Sequence, residues 1–132
     1  DLYLGLSLFH TANGAYTGNI LATEAAKQSW LSTYIPEDLT HSIQSDICRL
    51  LAPVLKDKYQ GPFGVDMMIV SRGGRKDNRG EETGFLLHPC VEINLRRTMG
   101  HVALSLSPTD DDIQAVMRID YAADNYRLHI IR

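Results

Sequence analysis

Gly64-Val65-Asp66-Met67-Met68-Ile69-Val70 and Phe85-Leu86-Leu87-His88-Pro89-Cys90-Val91-Glu92-Ile93-Asn94-Leu95 are two apolar runs broken by single polar residues. Their length and their content of β-branched and aromatic residues predict strands over 65–70 and 85–95. The polar stretch 71–83, rich in Gly, Arg, Asp and Glu, reads as a loop, and the Ser71–Phe85 region that joins the strands has its middle near residue 78 or 79. Successive side chains of a strand point to opposite faces. Glu92, Asn94 and Arg96 therefore share one face, while Val91, Ile93 and Leu95 take the other and can pack on helices. In the first strand Asp66 points with Met68 and Val70, away from Val65, Met67 and Ile69. A hairpin register centred on residue 79 sets Asp66 directly across from Glu92.

Working outward, Leu2, Leu4, Leu6 and Leu8 alternate with Tyr3, Gly5, Ser7 and Phe9 at the period of a strand. Asn13-Gly14 then favours a tight hairpin turn, with a return strand over 15–20. Residues 23–34 read as a helix. Pro36 is placed to open a longer one, with Glu37 and Asp38 complementing the positive end of its dipole. Leu39, Ile43, Ile47, Leu50, Leu51, Val54 and Leu55 recur along it at helical spacing, Lys56 and Lys58 suit its C-terminal end, and Gly61-Pro62 is expected to stop it. A short helix is expected over 98–106, and a last hairpin joins 114–121 to 126–131. Mixed helices and strands with short strand-to-strand connections predict an α+β fold: a mostly antiparallel sheet packed with two or three helices.

The 132 residues fit a single domain. A net charge of −3 argues against a nucleic-acid partner, which normally meets a basic excess. No apolar run approaches the roughly 20 residues that span a bilayer, so no membrane association is expected. Cys48 and Cys90 are far apart and in unlike contexts, which reads as two buried thiols in a reducing cytoplasm. The chain starts at Asp1 without an initiator Met, as a piece of a longer protein would.

Two carboxylates facing each other across a ladder repel, and each raises the other's pKa. A divalent cation relieves that repulsion, and carboxylates with an amide carbonyl are the hard oxygen ligands that Mg²⁺ prefers. Mg²⁺ usually shares the rest of its shell with phosphate oxygens, and an arginine on the same face could stabilise a transferring phosphoryl group. Asp66, Glu92 and Asn94 are thus candidate metal ligands, with Arg96 beside them.

These residues resemble the second half of the ATP-grasp superfamily. That half carries an acid in a short apolar strand, a loop, and a Glu-x-Asn ending the next strand, as in Val65-Asp66-Met67-Met68 and Glu92-Ile93-Asn94. The resemblance covers residues 61–101. It implies an ATP-grasp C-terminal subdomain, with Asp66, Glu92 and Asn94 holding Mg²⁺ beside the phosphates of ATP. Arg96 is similar to an arginine of the carboxylase and carbamoyl-phosphate-synthase branches, where it lies near the substrate or the transferring group; the resemblance makes it the catalytic candidate. Gly64 and Leu95-Arg96-Arg97 depart from the D-alanine–D-alanine ligase pattern, which has an arginine and a small-residue-plus-proline run at those places. The implied activity is phosphorylation of a small carboxylate by ATP, with an amine or other nucleophile attacking the acylphosphate. The implied partner is an N-terminal half carrying the Gly-rich loop and the phosphate-binding lysines, without which the chain is expected to be inactive.

Other residues have plainer accounts. His88, Cys90 and Glu92 could form a zinc site, but three ligands on one strand are awkward and Pro89 marks an edge. His101 follows Gly100 at the rim of the site, where it could touch a phosphate, though a helix-surface histidine is the simpler account. His10 and Asn13, near the first hairpin, could face the substrate, but a turn-forming role explains Asn13 fully. Arg72, Arg75, Lys76 and Arg79, with Gly73-Gly74, could grip a phosphate or an acidic substrate, but read more simply as a solvated loop whose charge is offset by Asp77, Glu81 and Glu82. The alternative to the ligase is a non-catalytic α+β ligand-binding or interaction module, in which Asp66, Glu92 and Arg96 form a structural ion-pair network.

Overall fold

The computed structural model describes residues 2–74, 76–80 and 84–132. Arg75, Glu81, Glu82 and Thr83, part of the charged loop, lie outside the described residues. The fold is α+β, and its sheets are antiparallel. The described elements run β1 (Phe9–Ala12), β2 (Ala15–Leu21), α1 (Glu24–Leu31), α2 (Glu37–Leu55), β3 (Gly64–Ser71), β4 (Phe85–Asn94), α3 (Met99–Leu106), β5 (Ala115–Ala122) and β6 (Asn125–Ile131). The chain divides into two compact units, one formed by Ser29–Arg96 and the other by Leu2–Gln28 with Arg97–Arg132.

The second unit carries a four-stranded sheet in the order β1-β2-β5-β6. Asn13 and Gly14 take positive φ at the β1–β2 turn, as the dipeptide leads one to expect. The β5–β6 turn reaches the same conformation with Ala123 and Asp124 at φ 51° and 61°, where glycine or asparagine would be more comfortable. Leu21, Ala115 and Met117 pack with Ala103 of α3 as the buried core, and Met99 and Val102 lie against it. The α3 start is held by its own sequence: the Thr98 N–H donates to His101 Nδ1 at 3.0 Å, and the His101 N–H donates to the Thr98 carbonyl at 3.1 Å.

The strand expected from the leucine alternation is not formed over 2–8; β1 begins only at Phe9. One backbone bond, from the Ile20 N–H to the Leu8 carbonyl at 2.9 Å, reaches this segment, and side chains tie down the rest. The Tyr3 hydroxyl donates to Glu24 Oε1 at 2.6 Å, the Leu6 N–H donates to both Glu24 carboxylate oxygens at 3.0 Å, and Lys27 Nζ donates to the Leu6 carbonyl at 2.5 Å. Lys27 is only 2% exposed, so its ammonium depends on that carbonyl and on Glu24 at 3.3 Å. Asn19, fully buried, donates to Ser7 Oγ at 2.7 Å and to the Leu8 carbonyl at 3.2 Å, and accepts from the Tyr16 hydroxyl. Burial raises the Tyr16 pKa, which keeps that hydroxyl a donor.

The first unit contains α2 and the two-stranded sheet β3–β4. Pro36 stands one residue earlier than its N1 expectation, as the N-cap, and α2 starts at Glu37. Pro53 removes one hydrogen bond from the last turn, and the helix ends at Leu55. Tyr34, just ahead of α2, meets Phe85 of β4 edge-on at 5.0 Å. Ile35 and Thr40 are buried. The apolar positions of α2 split: Ile43, Ile47, Leu51 and Leu55 are half-buried, whereas Leu39, Leu50 and Val54 are exposed. Val91, Ile93 and Leu95 are also exposed, against the expectation that they pack on helices. A two-stranded sheet offers little cover to either of its faces.

Neither cysteine is buried as expected: Cys48 is half-buried and Cys90 exposed, and both are free thiols. Among the described residues no helix is long and apolar enough to cross a membrane.

Candidate functional site

Register decides what the β3–β4 hairpin displays. At the end far from the loop, Gly64 pairs with Asn94, Val65 with Ile93 and Asp66 with Glu92. Beyond Asp66 the pairing shifts: Met68 stands opposite His88 and Ser71 opposite Phe85. The shift falls around Pro89, which has no N–H to give the ladder and sits where β4 carries extra residues. Both loop centres considered from sequence, residues 78 and 79, are therefore realised, one on each side of the bulge. Glu92 and Asp66 are direct neighbours on the side that matters.

Directly paired residues project from the same face, with Cβ atoms about 5 Å apart. Asp66, half-buried, thus meets the exposed Glu92. The Asp66 pKa is raised, first by burial and then by the Glu92 charge, with the Arg96 guanidinium opposing both. Asn94 is half-buried, and its amide nitrogen lies 3.5 Å from Asp66 Oδ2 at the limit of a hydrogen bond. Gly64, opposite Asn94, puts no side chain on that row and leaves the amide room to lean toward Asp66.

Arg96 joins by a route that strand parity missed. β4 ends at Asn94, and the Arg96 N–H donates back to the Asn94 carbonyl at 2.9 Å, a tight turn at Leu95. Arg96 Nη2 then donates to Asn94 Oδ1 at 3.1 Å. The amide is therefore fixed by its neighbours: its carbonyl faces the guanidinium and its NH₂ faces the carboxylate. All four candidates, Asp66, Glu92, Asn94 and Arg96, are brought together at one end of the hairpin.

Two carboxylates facing each other on one rung, one with a raised pKa, fit a hard divalent cation. In this arrangement Asp66 and Glu92 supply the donors, and Asn94 would add its carbonyl once the amide turned away from Arg96. Among the described residues no group of three or more His, Cys, Asp and Glu side chains is placed to hold a metal ion. His88, Cys90 and Glu92 are not such a group, since the bulge separates the rung of His88 from that of Glu92. Gly100 and His101 belong to the other unit, where Ser7 packs against Gly100 and His101 caps α3.

In comparisons with known proteins, the chain matches no family model, no curated protein and no solved structure.

Proposed function

We propose that this chain is the C-terminal, Mg²⁺- and nucleotide-binding part of an ATP-grasp carboxylate ligase, working in the cytoplasm on a small carboxylate. The observation that carries the proposal is the rung pairing Asp66 with Glu92, with Asn94 and Arg96 gathered at the same end of the hairpin. Bound there, Mg²⁺ would neutralise charge on the ATP phosphates. Asp66 and Glu92 would hold it, and their mutual repulsion would become an affinity for the dication. Asn94 would orient Asp66. Arg96, released from Asn94 Oδ1, would turn its donors to the transferring phosphoryl group, which passes from ATP to the substrate carboxylate before a nucleophile attacks. The exposed Val91, Ile93 and Leu95 are further support, because a two-stranded sheet with uncovered apolar residues suits a larger sheet or a second layer. The N-terminal half that completes the nucleotide clamp is the partner proposed for it.

One observation favours the alternative, a non-catalytic α+β ligand-binding or interaction module. The hydrogen bonds from Arg96 to Asn94 and from Asn94 toward Asp66 already form a network without any ligand. Mg²⁺-dependent ADP binding to the full-length protein separates the two readings. The ligase requires binding that weakens by about tenfold or more in Glu92→Gln and in Asn94→Ala. Binding indifferent to both substitutions removes the site assignment.

A further inference from the structure

The face of the four-stranded sheet opposite Ala115 and Met117 carries a second cluster of chemistry. One row crosses all four strands: His10 pairs with Gly18, Gly18 with Arg118, and Arg118 with His129. Paired residues share a face, so His10, Arg118 and His129 project together. Gly18 leaves the place between His10 and Arg118 empty. An open cleft of about 260 Å³ lies there, lined by His10, Thr17, Gly18, Val116 and Arg118. No side chain can fill it from position 18, since a Cβ there would stand 2.0 Å from the Met117 carbonyl oxygen.

The charge around the cleft favours an anion. Among the described residues, neither the Arg118 guanidinium nor the His10 ring has a hydrogen bond or ion pair. Asp120, the acid two residues along from Arg118, is engaged by His129 Nε2 at 3.3 Å. Arg127, paired with Asp120, adds positive charge to the same face. The Thr17 hydroxyl donates to the His10 carbonyl at 3.0 Å, which fixes the cleft wall. Val116 offers an apolar surface beside these donors.

The geometry points to a binding site for the oxyanion group of a small metabolite, a carboxylate or a phosphate, gripped by the Arg118 guanidinium with His10 as second donor. Guanidinium forks match both groups in two-pronged fashion. The volume is just below the roughly 300–1,000 Å³ of pockets for drug-sized ligands, which suits a small ligand. The site lies wholly within one unit and does not depend on the Asp66–Glu92 face.

The test is an amide and arginine side-chain NMR titration of the chain with acetate, inorganic phosphate and uncharged acetamide. Saturable shifts at His10, Thr17, Gly18, Val116 and Arg118 are expected with at least one anion and not with acetamide; the stronger anion identifies the ligand class. Arg118→Gln should weaken that binding by about tenfold or more, the loss of a charge-assisted bond. Arg118→Lys, which keeps the charge without the fork, should fall between. Arg118 is exposed, so both variants should keep a dispersed spectrum. Absence of saturable shifts with either anion, equal shifts with acetamide, or undiminished binding in Arg118→Gln would overturn the proposal.

Discussion

Asp66 holds its proton more tightly than a solvated aspartate, because burial and the Glu92 charge both disfavour its anion. The folded chain therefore binds that proton better than the unfolded chain does. Ionising Asp66 costs stability, and the cost sets in as pH rises from the ordinary carboxylate value of 3.8 through the raised folded value. Asp66→Asn is accordingly expected to raise the thermal midpoint near pH 7, an advantage that shrinks toward about pH 3. Added Mg²⁺ should stabilise the wild type and not the variant. Thermal melts across pH, with and without Mg²⁺, check both statements. The Asp66–Glu92 pairing was legible in the sequence because a loop of known length between two short strands leaves few registers. The contact of Arg96 with Asn94 was not: it depends on a turn at Leu95, and neither residue type nor spacing announces one there.

At the scale of elements, two hairpins solve one turn problem with different residues. Asn13-Gly14 is a dipeptide suited to positive φ, and the sequence betrayed that turn at once. Ala123-Asp124 adopts the same conformation without glycine or asparagine, so the turn residues themselves announce that hairpin less clearly. Replacing Ala123-Asp124 by Asn-Gly should stabilise the chain by about 1 kcal/mol, measured by denaturant unfolding. Gly18→Ala should cost roughly 3 kcal/mol or more, since its methyl would collide with the Met117 carbonyl; loss of the β2–β5 amide protection would report it. The 2–8 segment was misread because alternation alone does not make a ladder. The backbone of Leu6 bonds to Glu24 and Lys27, partners that lie beyond the β1–β2 hairpin in sequence and leave no local period.

Across the whole molecule, burial is uneven. In the unit carrying α3, Leu21, Ala103, Ala115 and Met117 form a closed cluster, and Met117→Ala should cost about 2–5 kcal/mol, read from hydrogen exchange in β2 and β5. In the unit carrying β3 and β4, Leu50, Val54, Met68 and Val91 stay exposed, and single polar replacements there should change stability by only about 0.5 kcal/mol or less. The order of helices and strands was readable from periodicity. The depth of burial was not, because it depends on which faces receive a second layer. The end of the β3–β4 hairpin is proposed as a cation site for Mg²⁺ and phosphate. Its most direct test is selective NMR line broadening by Mn²⁺, a paramagnetic stand-in for Mg²⁺. The amides around Asp66, Glu92 and Asn94 should broaden first, Mg²⁺ should reverse the effect, and Glu92→Gln should abolish it. Broadening spread evenly over exposed acids such as Asp46 and Asp120, with none concentrated at the hairpin end, would contradict it.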